Sequence, residues 1–105
     1  MLHDGRLKLI SFTGSTKVGR HVAREVSSRF GRTILELGGN NAAIIMPDAD
    51  LDMAIKACTF AAVGTCGQRC TTLRRLLVHD SIFDKVASKL ANAYKTIRIG
   101  DPLDL

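Results

Sequence analysis

Apolar residues recur every fourth position at Val18, Val22, Val26 and Phe30, with Arg and Lys on the remaining faces. That spacing predicts one amphipathic helix with a single apolar stripe. Gly31 follows as its stop. Just upstream, "LKLISF" at residues 7–12 is short and mostly apolar and ends at a turn signal, which predicts a buried strand. "TGSTKVG" joins the two, so the first third reads strand, Gly-Ser-Thr turn, helix. Residues 33–37 predict a second strand, broken by Gly38-Gly39, and residues 42–46 a third, closed by Pro47. Asp48 or Asp50 caps the next helix, because a short carboxylate accepts hydrogen bonds from the free N–H groups of a first turn. That helix runs over residues 51–63 and is apolar on nearly every side, a pattern that expects burial on most of them. Gly64 and Gly67 open a loop that holds Cys70. Residues 73–79 predict a strand. Residues 81–97 predict an amphipathic helix with Ile82, Val86, Leu90 and Tyr94 in line, ended by Gly100-Asp101-Pro102.

Alternating strands and helices predict an α/β chain. There is no internal repeat and no low-complexity linker. The apolar helix has few elements to pack against, so the pattern reads as a slice through a larger protein. The 105 residues allow one small domain at most.

Composition is that of a globular chain, 46% hydrophobic and 24% charged. The net charge of +5 is scattered: Arg20, Arg24, Arg29 and Arg32 decorate one helical stretch, and Arg74 and Arg75 stand apart. With one Tyr, no Trp and no zinc-ligand spacing, neither nucleic acid nor a metal is an expected partner. Cys58, Cys66 and Cys70 are an odd set without a C-x-x-C pair, which argues for a reducing compartment and against a disulfide framework. No apolar run reaches the roughly 18 residues of a membrane span. The first five residues are too short and polar for a signal peptide and look like a start inside a longer coding sequence.

Three motifs carry chemistry. In "FTGSTKVG" a strand, a small-residue turn and a helix start expose N–H groups and the positive end of a helix dipole, which suits a phosphate. The Gly14 to Gly19 spacing is not the usual G-x-G-x-x-G, and any strand-to-helix turn can contain Gly and Ser. Glu36 lies between Leu35 and Leu37; partial burial would make it a better base near neutral pH. An isolated strand-edge Glu facing water is the plainer reading. Gly38-Gly39 behind it let a ligand or backbone approach closely, or permit positive φ. Cys70, in "GTCGQRCTT", is a candidate nucleophile at an element end beside Arg69, with nearby N–H groups to hold an oxyanion. Cys58, inside "AIKACTFAAV", reads as a buried small hydrophobe, and Cys66 fits either role.

Together "FTGST", "LELGGNNAAII", "DADLD" and "GQRCTT" resemble the aldehyde dehydrogenase superfamily, with E-L-G-G standing 34 residues before the cysteine of G-Q-x-C, as Glu36 stands before Cys70. The match covers nearly the whole chain. "FGRTILELGGNNA", with its paired Asn40-Asn41, and "VGTCGQRCTTLRRLLVH" further resemble the antiquitin branch, the α-aminoadipic semialdehyde dehydrogenases of lysine breakdown. The resemblance implies a chain that crosses from the end of a Rossmann-type cofactor domain (residues 1–37) into the start of a catalytic domain (residues 38–105). It implies NAD-dependent oxidation of an aldehyde to a carboxylate. Cys70 then adds to the aldehyde as nucleophile, through a thiohemiacetal and a thioester. Glu36 is the base that activates water for thioester hydrolysis, and can also help deprotonate Cys70. Gly14, Ser15, Thr16 and Gly19 lie against the cofactor's pyrophosphate. Glu36, Leu37 and Gly38 face its nicotinamide end. The Cys70 N–H is one half of an oxyanion hole, and Thr71 lines the aldehyde tunnel. A homo-oligomer, a tetramer, in the cytoplasm (cytosol or mitochondrion in a eukaryote) is also implied.

Against the family pattern, the adenosine side of the cofactor site, the amide of the oxyanion hole, the carboxylate for the nicotinamide ribose and the oligomerisation segment are missing. The isolated chain is therefore expected to be inactive. The alternatives are a truncated, non-catalytic chain that associates with full-length subunits, and a thiol redox module built on Cys66 and Cys70.

Overall fold

The computed structural model describes residues 1–101, 103 and 104. Pro102, the expected last residue of the closing turn, lies outside the described residues. The chain divides into two compact units, Met1–Gly39 and Asn40–Leu105.

The first unit is a strand, a helix and a strand: β1 (Leu9–Gly14), α1 (Thr16–Ser28) and β2 (Arg32–Leu37). β1 and β2 pair in parallel, from Leu9↔Arg32 to Gly14↔Leu37. A parallel pair needs a crossover connection, and α1 supplies it. Pairing carries β1 two residues past the expected end at Phe12 and starts it at Leu9 rather than Leu7. The α1 stripe buries Val22 and Val26 against Ile10, with Leu2, Phe12 and Leu35 around them. The stripe ends there. Phe30 lies outside the helix and is 98% exposed. It occupies the left-handed position of the C-terminal cap, with φ 60°. Its N–H donates to Ser27 O at 3.0 Å and the Gly31 N–H to Val26 O at 2.9 Å, the paired bonds of a Schellman ending. Gly31 is thus not the left-handed stop. It stands one residue further on, where a Cβ would lie 2.6 Å from Val26 Cγ1.

The second unit repeats the plan with β3 (Ala42–Ile45), α2 (Leu51–Val63) and β4 (Arg75–Val78), followed by α3 (Phe83–Lys95). β3 and β4 are again parallel, from Ala42↔Arg75 to Ile45↔Val78. Asp50 is the cap of α2, its carboxylate accepting from Asp52 N at 3.0 Å and Met53 N at 3.1 Å. Ile45, Ile55, Cys58 and Val86 form the core, with Leu51, Leu73, Leu76 and Leu90 packed on it. The all-round apolar α2 is not buried on most sides: only Ile55 and Cys58 are buried, while Met53 and Phe60 are 65% and 64% exposed. A two-stranded sheet and one packed helix cover one face of α2 and leave the rest open. Residues 81–82 fall in a short 3₁₀ turn, because the His79 ring accepts from Ser81 N and ends β4 in a local cap. α3 therefore starts at Phe83. Val86 is buried in its stripe, whereas Tyr94 is 47% exposed. No described helix is long and apolar enough to cross a membrane.

Candidate active site

In the first unit, β1 delivers Gly14 to the edge of the sheet and Ser15 turns the chain into α1. Ser15 has extended φ/ψ, and its Oγ accepts from Val18 N at 3.3 Å. Ser15 and Thr16 are exposed at the start of a 13-residue helix, where N–H groups and the helix dipole face outward. Gly19 lies in α1 and is buried; a Cβ there would meet Leu37 Cδ1 at 2.8 Å. Its small size lets the helix lie on β2, so packing is what Gly19 provides in this unit.

β2 alternates. Thr33, Leu35 and Leu37 are half-buried; Arg32, Ile34 and Glu36 are exposed. Successive strand side chains point to opposite faces, so the apolar neighbours of Glu36 do not cover it. Glu36 faces water, the plainer of the two readings of an isolated strand-edge Glu, and the partial burial that would make it a better base is absent in this chain. Gly38 does not have positive φ either. A Cβ at Gly38 would meet nothing within 4 Å, so the space beside it is open.

In the second unit, α2 gives way to three consecutive left-handed residues, Thr65 (φ 53°), Cys66 (φ 56°) and Gly67 (φ 67°). A left-handed residue with a side chain costs about 1–2 kcal/mol, and β-branched Thr is among the least suited. This turn breaks the helix axis and leads into a second turn at Arg69–Cys70–Thr71–Thr72. Thr72 N donates to Arg69 O at 3.2 Å. Arg69 N donates back to Thr72 Oγ1 at 3.0 Å. Cys70 and Thr71 occupy the two central positions and are exposed, whereas Thr72 is 5% exposed. The Arg69 guanidinium does not accompany the thiol; it lies over the Phe60 ring, 5.8 Å from its centroid. Leu73 N donates to Ala61 O at 3.0 Å and ties the far end of the turn to α2.

Asn41 completes the arrangement. Its side-chain Nδ2 donates to Cys70 O at 2.5 Å and to Thr72 O at 3.0 Å. Asn40-Asn41 stood out in the sequence only as a marker of similarity; this grip on the cysteine turn was not foreseen, nor was the buried Thr72. The one local signal was a pair of asparagines between a Gly-Gly break and a strand.

The three cysteines separate by environment. Cys58 is buried in the core, and loss of solvent pushes its thiol up from the usual value. Cys66 and Cys70 are exposed and unpaired. Among the described residues no group of His, Cys, Asp and Glu could hold a metal ion.

Gly67→Ala is expected to destabilise the protein by about 1–2 kcal/mol. The new Cβ would sit 3.1 Å from Ala62 O in a left-handed residue. Thermal unfolding reads this as a lowered Tm, and an unchanged Tm would show that the turn relaxes without cost.

In the second unit an exposed thiol stands at the tip of a hydrogen-bonded turn; in the first, a carboxylate faces solvent and a strand-turn-helix presents free N–H groups. The aldehyde dehydrogenase family model matches residues 1–105. This chain belongs to the aldehyde dehydrogenase family. It is 58% identical over 99% of its length to alpha-aminoadipic semialdehyde dehydrogenase of Rattus norvegicus, covering 19% of that protein. It is also 58% identical over 96% of its length to aldehyde dehydrogenase family 7 member A1 of Brassica napus, covering 20% of it. The crystal structure of betaine aldehyde dehydrogenase from Staphylococcus aureus in complex with NAD+ superposes with a TM-score of 0.90. There the identity is 34%, over 99% of this chain and 21% of that one. This aldehyde dehydrogenase chain thus spans about one fifth of the length of the relatives it matches.

Proposed function

We propose that this chain carries the nucleophile and the base of NAD-dependent aldehyde oxidation, with α-aminoadipic semialdehyde as the aldehyde. The observation that carries the reading is Cys70, held exposed at the tip of a hydrogen-bonded turn in a family of aldehyde oxidoreductases. The Cys70 thiolate adds to the carbonyl carbon and forms a thiohemiacetal. The Cys70 N–H donates to the oxyanion, and Thr71 lines the approach. Bound NAD supplies a two-electron acceptor, and the oxidised adduct on Cys70 is a thioester. Glu36 takes a proton from water, the resulting hydroxide attacks the thioester carbon, and carboxylate leaves as Cys70 regains its thiolate. The residues fit the cofactor in one respect seen here: Gly14, Ser15 and Thr16 form an exposed turn at a helix start that suits a pyrophosphate. Gly19 sets that helix on Leu37, and Glu36, Leu37 and Gly38 border the nicotinamide end. On this reading residues 1–37 are the end of a cofactor domain and residues 38–105 the start of a catalytic domain, in a cytoplasmic homo-oligomer, a tetramer.

Identity to the rat enzyme supports the substrate. NADH formation from NAD and α-aminoadipic semialdehyde tests it in a full-length family enzyme carrying these 105 residues. Betaine aldehyde and succinate semialdehyde serve as competitors. The expected result is the highest kcat/KM on α-aminoadipic semialdehyde; a higher value on either competitor overturns the substrate. The 105 residues alone are expected to give no turnover, and Cys70-dependent NADH formation by them would overturn that part.

A further inference from the structure

We infer that Asn41 is a positioning residue for the nucleophile turn, its single amide nitrogen holding the carbonyls of Cys70 and Thr72 together. The inference rests on the reading of Cys70 as nucleophile. A side-chain amide has two N–H donors on one nitrogen, and each has one carbonyl here. The amide orientation is forced, because the opposite flip would put an oxygen against two carbonyl oxygens. Asn41 is itself fixed. Its own carbonyl accepts from Arg74 N and Arg75 N, both at 3.1 Å, at the start of β4. The Arg75 guanidinium donates to Asn40 O from Nε at 3.2 Å and from Nη2 at 2.9 Å. Hydrogen bonds at both ends thus tie the start of β4 through Asn41 to the cysteine turn. With the Cys70 carbonyl held and Thr72 buried, the Cys70 side chain is left at the exposed tip. A nucleophile displaced by about 1 Å can lose on the order of 100-fold in rate, so a two-point hold on its backbone has a kinetic consequence.

Few side chains satisfy both carbonyls. Aspartate has the same shape but only acceptors, and would repel them. Alanine removes the hold without adding charge. Glutamine keeps both donors on an arm one methylene longer.

The test uses a full-length family enzyme carrying this segment, with Asn41→Asp, Asn41→Ala and Asn41→Gln. Two readouts are taken on folded protein: steady-state kinetics, and the rate at which iodoacetamide alkylates Cys70 across pH, with Cys66 as internal reference. For Asn41→Asp and Asn41→Ala the expected kcat is lower by on the order of 100-fold. KM for NAD is expected to stay near the parent value, and the pH profile of Cys70 alkylation to shift while that of Cys66 does not. Asn41→Gln is expected to recover part of both. If Asn41→Asp does not fold, Asn41→Ala is read in the same way. A folded Asn41→Ala with parental kcat and a parental Cys70 alkylation profile overturns the inference. So does a variant with only a lower Tm. Cys70→Ala in the same enzyme separates the two readings. Retained turnover there overturns the nucleophile and with it the kinetic role of Asn41, whereas a shifted alkylation profile in Asn41→Ala supports the hold itself.

Discussion

Cys70→Ala, in a full-length family enzyme carrying this segment, is expected to lower steady-state aldehyde oxidation by at least about a thousand-fold. Alanine has no lone pair to offer the carbonyl, so neither the thiohemiacetal nor the thioester forms. Cofactor affinity is expected to be unchanged, because the groups assigned to the pyrophosphate lie in the unit Met1–Gly39. Folding is expected to change little as well, since Cys70 is exposed and its recorded hydrogen bond uses its carbonyl. Titration with NAD, thermal unfolding and NADH formation separate these three quantities. Surviving turnover would remove Cys70 as the nucleophile. Cys58 would not replace it, because burial raises its thiol pKa and the thiolate is the reactive form.

Glu36→Gln is the second large effect. General-base assistance contributes typically 100- to 10,000-fold, so steady-state turnover is expected to fall by about that much. Thioester formation is expected to continue, because Glu36 acts on the water of the later step. The signature is a rapid burst of NADH near one equivalent per active site, followed by stalled turnover. Intact mass would show the acyl group retained on Cys70. Glutamine keeps the shape of the side chain, and Glu36 stands on the exposed face of β2, so the fold should tolerate the change. An unchanged steady state would remove Glu36 as the base, and loss of the burst as well would place it in the first chemical step.

Both candidates stood out in the sequence, for different reasons. Cys70 was marked by its Gly-rich loop and by the 34-residue interval from Glu36. Glu36 was marked by apolar neighbours, which left partial burial and a water-facing strand edge both open, and the chain shows the second. Leu35 and Leu37 occupy the other face of the strand, so flanking residues say nothing about cover on the Glu36 side. Phe30 shows the same limit in a helix. It continued the spacing of Val18, Val22 and Val26, yet the Schellman hydrogen bonds ended the helix first and left it in water. For α2 the apolar composition predicted the helix and its Asp50 cap. It did not predict how much of that surface this chain covers.

What the sequence determined by itself was the order of strands and helices, the Asp50 cap and the positions of the chemically distinctive side chains. These depend on interactions between residues within about four positions of one another, which a linear pattern records. Tertiary structure alone decided the parallel register that sets Thr13 beside Glu36, the left-handed turn through Thr65, Cys66 and Gly67, and the hold of Asn41 on Cys70 and Thr72. The pairings join residues 23 to 31 positions apart in the chain. No local periodicity encodes which distant carbonyl an amide will meet; only packing of the elements between them brings the partners together.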